Sequence, residues 1–425
     1  MHVKVLILGG GVSGLSAAYH LQQTGRTDYL VLEKENQPGG LCRSIRRNGF
    51  TFDYSGHLLH LHTPQGKKLV RTLLGSNLHR LPRRAWIYTG TSRVPFPYQA
   101  NLFALPPDIR QQCLDGLLQA RKKTALLPPA HFGQWCVQAF GKGIYENFLK
   151  PYNTKLWGCP PQKLTCEWCG PFVPLPTAQE IRQSADKKPH KTFGYNSYFY
   201  YPQTGGCEAL VSALTHRITR LKTNCPVTRI DLNHKTVYAG RKKISFDYLI
   251  NTLPLPVFLK LLREQPALHT AAAKLTIQPV TVYQIALRGK PKPFSWIYCP
   301  DPQDPFYRVG MQSSFSRSNA PQGCYSLYVE LPGQVHPSRS REKSIEQALL
   351  KKQIIRPQDE KLFSFWTPIP YAYVIYNKRR AETLRRIFQK LEKYHCFCVG
   401  RYGLWEYSFI ERSLLQGREV VKKLV

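Results

Sequence analysis

The chain has 425 residues, with 60 Lys and Arg against 26 Asp and Glu, which gives a formal net charge of +34. This length suffices for two or three domains, each with a buried core. Hydrophobic residues make up 42% of the chain and charged residues 20%, which excludes a disordered basic tail and a fibrous protein. We therefore expect a folded globular protein.

The sequence disfavours membrane insertion and secretion. The longest apolar stretch, residues 244–262, is interrupted by two prolines and by Asp247 and Asn251, so it falls short of the ~20 residues that a membrane helix needs. A glycine-rich motif begins at Gly9, which leaves no room for a cleavable signal. The twelve cysteines lack the spacing of a disulfide scaffold. We expect a cytoplasmic location and mostly buried thiols.

The first predicted elements form a βαβ unit. Residues 3–8 are a short apolar run, a glycine-rich turn follows, and residues 15–21 have helical periodicity. A second apolar run, residues 29–32, ends in Glu33. This order predicts a doubly wound, Rossmann-like α/β domain.

Helical and strand-like segments alternate along the rest of the chain. In order they are helices over about 107–123 and 132–149, an aromatic strand-like stretch over 193–206, a helix over 209–221, strands over 227–231 and 247–251, strand-like residues over 280–331, a basic connection leading into a helix over 336–352, and a helix, strand and helix over 379–393, 396–400 and 413–424. We assign 1–75, 195–262 and 366–425 to the first, discontinuous domain. Residues 76–194 and 263–365 form a second region with a helical insertion and a mixed or antiparallel sheet.

The glycine-rich turn matches the dinucleotide pattern G-x-G-x-x-G. Gly9 permits the tight turn, Gly11 lets the backbone approach a pyrophosphate, and Gly14 lets helix and strand pack closely. Glu33 follows nineteen residues after Gly14 and can accept hydrogen bonds from the ribose of an adenosine. An acid at this position disfavours a 2′-phosphate, which leaves NAD or FAD.

Further blocks lie beyond this fingerprint. They are residues 39–44 (G-G-L-C-R-S), 53–57 (D-Y-S-G-H), 148–158 (F-L-K-P-Y-N-T-K-L-W-G), 201–206 (Y-P-Q-T-G-G) and 400–407 (G-R-Y-G-L-W-E-Y). With the fingerprint, these blocks resemble the FAD-dependent amine oxidase and protoporphyrinogen oxidase superfamily, nearest to its UDP-galactopyranose mutase branch. The resemblance runs from residue 3 to about residue 420 and implies a Rossmann-like FAD-binding domain.

The resemblance also implies site residues. The predicted FAD contacts are Gly9, Gly11, Ser13, Gly14, Glu33, Lys34, Gly40, Leu41, Arg43, Gly56, Val227, Gly400 and Arg401. The candidate catalytic residues are His57, which the resemblance places beside the flavin ring, Lys150 from the 148–158 block, and Arg182, which is added for its guanidinium group alone. The candidate substrate-binding residues are Tyr152, Trp157, Arg308, Tyr371 and Tyr407, and the resemblance places Tyr195 and Tyr198 around the same cleft. Because guanidinium groups suit phosphate and carboxylate, the arginines indicate a small anionic substrate.

The sequence departs from the mutase branch. Mutases carry Tyr-x-Asp after the C-terminal Gly-Arg turn, whereas Tyr407 is followed by Ser408 and Phe409, and one mutase subgroup has Arg in place of Lys150. We therefore predict an FAD-dependent oxidoreductase that transfers a hydride from its substrate to flavin N5. Two alternatives stay open: a mutase-like nucleotide-sugar isomerase, and a non-catalytic binding protein, against which the intact fingerprint argues.

Neither metal nor nucleic-acid binding is predicted. His57, His60 and His62 fit no common metal template, and Cys166-x-x-Cys169 lacks a second ligand pair. Basic pairs are spread along the chain rather than gathered on one motif. We interpret the charge as a general positive field that favours an anionic cofactor and substrate. The sequence leaves peripheral membrane contact and the oligomeric state open.

Overall fold

The computed structural model describes residues 1–90, 92–122, 128–189, 193–194, 196–262 and 265–424. Its α-helices are α1 (Val12–Gln23), α2 (Pro64–Leu74), α3 (Pro107–Lys122), α4 (Phe132–Ile144), α5 (Lys150–Trp157), α6 (Cys169–Phe172), α7 (Ala178–Gln183), α8 (Glu208–Thr215), α9 (Leu255–Leu261), α10 (Pro266–Ala272), α11 (Arg339–Lys351), α12 (Arg380–Glu392), α13 (Gly400–Gly403) and α14 (Ile410–Lys422). Its strands are β1 (His2–Leu8), β2 (Tyr29–Leu32), β3 (Ser44–Arg47), β4 (Phe50–Asp53), β5 (His79–Pro82), β6 (Ala85–Tyr88), β7 (Arg93–Pro95), β8 (Tyr198–Tyr201), β9 (Leu221–Lys222), β10 (Val227–Asp231), β11 (Thr236–Ala239), β12 (Lys242–Asn251), β13 (Ile277–Arg288), β14 (Trp296–Tyr298), β15 (Arg308–Met311), β16 (Cys324–Pro332), β17 (Glu360–Val374) and β18 (Cys396–Cys398).

The first sheet has the doubly wound arrangement that the sequence predicts. Its strand order is β10-β11-β12-β1-β2-β9, and β18 pairs with β12. Strand β1 runs parallel to both β2 and β12, and its residues from Val5 to Leu8 are completely buried, as the continuous apolar run requires. Helix α1 connects β1 to β2 and packs on α14, where Ser16 Oγ donates a 2.7 Å hydrogen bond to the carbonyl of Leu414.

The second sheet is largely antiparallel. Its order is β17-β13-β16-β15-β14-β6-β7, and only the β14–β6 pair is parallel. Helices α3 and α4 pack together nearby, and a π-helical turn at Tyr145–Leu149 joins α4 to α5. The buried side chains of this helical region belong to the same hydrophobic cluster as those of β6 and β14. The helices are therefore fixed against the second sheet.

Several predicted boundaries differ from the structure. The helix expected over 209–221 is α8, which ends at Thr215, and the chain returns as β9 from Leu221. The final helix, expected from residue 413, begins at Ile410. The domain boundary predicted at 365/366 falls inside β17, which pairs with β13 throughout. Residues 366–374 therefore belong to the second sheet, because their backbone hydrogen bonds are made there. Tyr195 lies outside the described residues.

Within the described ranges, no helix combines the length and the apolar character that crossing a membrane requires. The same ranges hold no group of three or more His, Cys, Asp and Glu side chains placed to bind a metal ion. All twelve cysteines are free thiols, and eight of them are buried. The exceptions, which are partly exposed, are Cys159, Cys166, Cys324 and Cys398.

Candidate functional site

The glycine-rich turn leaves an open face at the start of α1. Gly9 has a φ of +98°, and a Cβ atom on Gly14 would lie 2.0 Å from the carbonyl oxygen of Gly9, so both positions require glycine. A Cβ on Gly11 would meet nothing within 4 Å. Gly11 is the N-cap of α1 and offers no capping side chain, so the first N–H groups of the helix remain available to an anion.

The second glycine pair packs directly on this turn. The amide of Gly39 donates a 2.7 Å hydrogen bond to the carbonyl of Gly10, and a Cβ on Gly40 would lie 3.5 Å from Gly11 Cα. Arg43 Nε donates to the carbonyl of Gly40, and its guanidinium lies over the ring of Tyr54. Leu41 is partly buried against the main core. The structure therefore brings both predicted glycine segments together.

Glu33, the predicted ribose-binding acid, lies beside these two glycine segments. Glu33 is buried, and its carboxylate accepts hydrogen bonds from the amides of Gly10 at 2.7 Å and Glu35 at 2.9 Å. The backbone carbonyl of Glu33 accepts a hydrogen bond from the amide of Cys225. This bond brings the segment just before β10, which begins at Val227, next to Glu33. Lys34 points outward and forms an exposed ion pair with Glu35.

The C-terminal turn that contains Gly400 packs against Ser13 at the start of α1. Gly400 has a φ of +83°, and a Cβ at this residue would lie 2.1 Å from Ser13 Oγ. The amide of Gly400 donates to Gln416 Oε1 at 3.0 Å. On the far side, a Cβ on Gly56 would lie 2.4 Å from the hydroxyl of Tyr328. Ser13, Gly56 and Gly400 therefore all lie where backbone and side chains approach too closely for larger residues.

A buried carboxyl group joins two of the sequence blocks. Asp53 is completely buried and accepts hydrogen bonds from Ser44 Oγ, Tyr201 OH, Cys207 N and Gln312 Nε2 at 2.6–3.0 Å. Burial raises its pKa, and these four hydrogen bonds oppose the increase. Asp53 thereby fixes the segment that leads to Gly56 and His57.

An ion pair lies at the centre of the second sheet. Arg308 on β15 and Glu330 on β16 are directly opposite each other in the antiparallel ladder. Arg308 donates from Nε to Glu330 Oε2 at 2.6 Å and from Nη2 to Oε1 at 2.7 Å, and Ser55 Oγ also donates to Oε1. Glu330 is 2% exposed and the Arg308 side chain 21%, so one edge of the guanidinium faces open space.

The second guanidinium has no carboxylate partner among the described residues. Arg401 donates to the carbonyls of Ala372 and Ser408, both at 2.8 Å, while its buried Nε has no hydrogen-bond partner. Its Cζ atom lies 4.7 Å from the ring centre of Tyr407 and 5.7 Å from that of Tyr373. We call Arg308, Glu330, Tyr373, Arg401 and Tyr407 the arginine–tyrosine cluster. Two guanidinium groups and one carboxylate give it a net charge of +1.

His57 lies next to this cluster in its neutral form. Burial is the main reason that its pKa falls to about 4; the carboxylate of Glu330 opposes the fall, and Arg401 and Arg308 add to it. Its Nδ1 atom is buried and makes no hydrogen bond of normal geometry with the described residues. An orphaned buried nitrogen is rare in a folded protein, so this atom is suited to contact a bound group.

The predicted aromatic residues line one side of the arginine–tyrosine cluster. Trp157 is buried 5.6 Å from Tyr373 and 5.5 Å from Tyr407, measured between ring centres. Tyr152 is buried and lies 6.4 Å from Tyr307, the residue before Arg308. Tyr371 is partly buried on β17. The structure therefore groups Tyr152 and Trp157 with the arginine–tyrosine cluster.

Lys150 and Arg182, two of the candidate catalytic residues, do not lie in the arginine–tyrosine cluster. Lys150 is exposed at the start of α5, and its Nζ is 2.7 Å from Glu146 Oε2. It precedes Trp157 by two helical turns, about 10 Å along the axis. Arg182 is exposed on α7, next to Ile181, which is the buried residue of that helix. Both side chains lie on the surface, because the buried faces of their helices are formed by other residues, among them Trp157 in α5 and Ile181 in α7.

Sequence reasoning missed the role of several residues in this site. Ser55 lies in the 53–57 block and Glu330 in a stretch similar to oxidase-like relatives, but neither was assigned a role, and Tyr373 carried no signal of its own. A search for an acid in an apolar strand could have found Glu330, since such a residue needs a partner. The position of that partner depends on strand register, which the sequence does not show.

The buried histidines predict how stability depends on pH. Burial is the largest cause that lowers the pKa of His57 to about 4 and that of His60 to about 3, from an ordinary 6.5. Between pH 6.5 and 4 the unfolded chain therefore binds protons that the folded chain does not, and stability falls as the pH falls. Each histidine contributes up to about 1.4 kcal/mol per pH unit. Urea unfolding at pH 7 and 4.5 should show a smaller loss for His60→Gln than for the wild type. A matched change at the exposed His216, His216→Gln, should leave the loss unchanged.

A comparison with protein families is decisive at this point. The model of the flavin containing amine oxidoreductases matches residues 12–420. This chain belongs to that family. The predicted superfamily, fold class and FAD cofactor are thereby confirmed.

Individual relatives agree with the family. A solved structure of reduced UDP-galactopyranose mutase has a TM-score of 0.93 and 28% identity, and the match covers 99% of this chain and 93% of that one. The coproporphyrinogen III oxidase of Staphylococcus aureus is 24% identical over 305 residues, 63% of this chain and 64% of that protein. The protoporphyrinogen oxidase of Homo sapiens is 24% identical over 335 residues, 67% of each chain. The chain thus spans slightly less than two thirds of the coproporphyrinogen III oxidase.

The residues present fit FAD. The uncapped start of α1 and the open face at Gly11 suit a diphosphate, and Glu33 is placed for the adenosine ribose. The unpartnered nitrogens of His57 and Arg401 lie where the family blocks converge, which suits contact with the flavin end. Which of these atoms touch the cofactor stays a prediction.

Proposed function

We propose that this protein is an FAD-dependent oxidoreductase that removes a hydride from a small anionic molecule. The observation that carries the proposal is the arginine–tyrosine cluster with His57 beside it, a net positive site next to a neutral imidazole with a free ring nitrogen. The family name supports the redox class. The similarity to a coproporphyrinogen III oxidase and a protoporphyrinogen oxidase supports a reduced organic substrate.

The flavin, when bound, supplies the hydride acceptor, and the chain supplies binding and polarity. Arg308 keeps one edge exposed, so its guanidinium can bind a carboxylate or phosphate while Glu330 holds it in place. The rings of Tyr152 and Trp157 form an apolar wall that limits water. The free Nδ1 of neutral His57 can hold a hydrogen bond from a substrate N–H or O–H, depending on the tautomer.

A second candidate is the mutase-like isomerase, which the likeness to the mutase structure along nearly the whole chain favours. One local feature disfavours it. Phe409, two residues after Tyr407, lies 5.1 Å from Phe172 and 5.4 Å from His62 between ring centres. The position where mutases carry an acid is thus taken by a phenyl ring that packs on a second phenyl ring and an imidazole, and it offers no carboxylate to a sugar substrate.

A test starts with the purified holoprotein. We expect a yellow protein whose flavin absorbance bleaches in the absence of oxygen when a reduced anionic substrate is added, with porphyrinogens bearing carboxylates as the first probes. His57→Gln should keep its FAD and bleach at least about tenfold more slowly, as the loss of a positioned polar group predicts. His216→Gln, a change at an exposed histidine that contacts only its own helix, should match the wild type.

The alternatives have their own outcomes. Isomerisation of UDP-galactopyranose by the dithionite-reduced protein, without net oxidation, would overturn the oxidoreductase proposal in favour of the isomerase. A colourless protein that gains no thermal stability from added FAD would leave only the non-catalytic binding protein. Equal bleaching rates for His57→Gln and the wild type would remove His57 from the proposed mechanism.

A further inference from the structure

The connection between β14 and β15, residues 299–307, wraps around one lysine side chain. Lys155 Nζ donates hydrogen bonds to the backbone carbonyls of Cys299 at 3.1 Å, Asp301 at 2.7 Å, Asp304 at 3.0 Å and Phe306 at 2.6 Å. An ammonium group has only three N–H donors, so four oxygens around it resemble the coordination of an ion more than ordinary pairing. We call these four carbonyls the carbonyl cage.

No carboxylate is needed for this arrangement. Asp304, the acid that most strongly opposes the lowering of the Lys155 pKa, is itself buried and pairs with Lys352 at 2.9 Å. The charge of Lys155 is therefore balanced mainly by backbone dipoles. Burial lowers the pKa of Lys155 to about 8, with Asp304 opposing, so the group is still an ammonium at pH 7.

The carbonyl cage connects helix α5, which carries Tyr152 and Trp157, to strand β15, which begins at Arg308. Lys155 lies on α5 between Tyr152 and Trp157, and the caged connection leads directly into Tyr307 and Arg308. The connection has further anchors: the amide of Cys299 donates to the carbonyl of Tyr307, and the amide of Tyr307 donates to that of Glu330. The position of the connection thus determines how far Arg308 lies from the aromatic wall of α5.

We propose that residues 299–306 form a binding site for a small monovalent cation, occupied by the chain's own Lys155 ammonium, which positions Arg308 against Tyr152 and Trp157. The site depends on cation size and charge, as a cage of carbonyl oxygens does. Lys155 is therefore a positioning residue. The inference concerns the folded chain and stands independently of the reaction proposed above.

Chemical rescue tests this site. In the FAD-loaded Lys155→Ala protein, hydrogen exchange of the amides in residues 299–307 should accelerate about tenfold or more, the factor expected when hydrogen bonds to a charged group are lost. Ammonium, methylammonium or potassium chloride should restore protection. Tetramethylammonium chloride at equal ionic strength should not, because that ion is too large for the cage. Lys163→Ala, which removes an exposed lysine, is the matched control.

Lys155→Met separates charge from packing, and it keeps the test valid if the alanine variant does not fold. This variant retains an unbranched apolar side chain, so we expect fast exchange in residues 299–307 that small cations do not rescue. Wild-type protection in Lys155→Met would overturn the proposal, since packing alone would then hold the connection. Rescue of Lys155→Ala by all salts alike would overturn it too, because general screening would explain the effect.

Discussion

Replacing Glu330 with alanine is expected to lower the free energy of unfolding by about 3 kcal/mol, one of the largest effects of any single change in the site. The carboxylate is 2% exposed and accepts two hydrogen bonds from Arg308 and one from Ser55. Its removal leaves a largely buried guanidinium without a counter-charge. The expected loss is at the lower end of the range for buried pairs, because the Arg308 side chain is 21% exposed and water can reach it.

Urea unfolding followed by circular dichroism measures this loss. The double variant Arg308→Met, Glu330→Met should be more stable than Glu330→Ala, since it removes the stranded charge and restores apolar volume. The matched control is Glu360→Ala. It breaks an exposed cross-strand pair with Arg288 and should cost less than about 1 kcal/mol. A Glu330→Ala protein as stable as this control would show that Arg308 does not need its partner.

Two alanine substitutions in the glycine-rich turn should have different effects, one on the stability of the apoprotein and the other on FAD affinity. Gly14→Ala places a Cβ 2.0 Å from the carbonyl of Gly9, so α1 must move away from β1 and the protein is destabilised even without FAD. The Cβ atom of Gly11→Ala would meet nothing within 4 Å in the protein, and Gly11 has an extended backbone with a φ of −74°, which alanine adopts without strain. Its apoprotein should therefore be as stable as the wild type. The methyl group would instead occupy space on the open face, and we expect FAD affinity to fall at least about tenfold.

Thermal unfolding of the apoproteins and fluorescence titration with FAD separate the two effects. We expect Gly14→Ala to lower the melting temperature of the apoprotein by several degrees, as a loss of about 2 kcal/mol in a chain of this size would. Gly25→Ala is a further control for substitution itself at a glycine with open space, although its φ of +78° adds local strain. Normal FAD affinity in Gly11→Ala would place the diphosphate elsewhere.

The part of the fold that sequence predicted well depends on local signals. The βαβ unit follows from an apolar run, a glycine turn and helical periodicity, and the observed β1, α1 and β2 agree closely with the predictions. Strand β17 was not predicted, because its 15 residues mix polar, apolar and proline positions. What makes it a strand is its long antiparallel pairing with β13, which is a tertiary interaction.

In the candidate site too, residues of a local motif could be predicted from sequence, whereas residues placed by tertiary packing could not. Gly9 and Gly14 take part through local backbone geometry, and Glu33 through a hydrogen bond from Gly10 within the same βαβ unit, so the motif located all three. Lys150 was named by its place in a family block and Arg182 by the chemistry of its side chain, and whether either group faces the site depends on the packing of its helix. The partner of Arg308 is 22 residues away in sequence and is brought opposite it by the strand register.

The contacts of α1 with the C-terminal turn also constrain the order of events during synthesis. Ser13 lies against Gly400, and Ser16 bonds to the carbonyl of Leu414, 398 residues later. A nascent chain can make the glycine-rich turn early, but it lacks these neighbours until residues 400–414 have also been synthesised. We therefore expect stable capture of FAD only after α14 has packed on α1, and an uncovered apolar face on α1 before that stage.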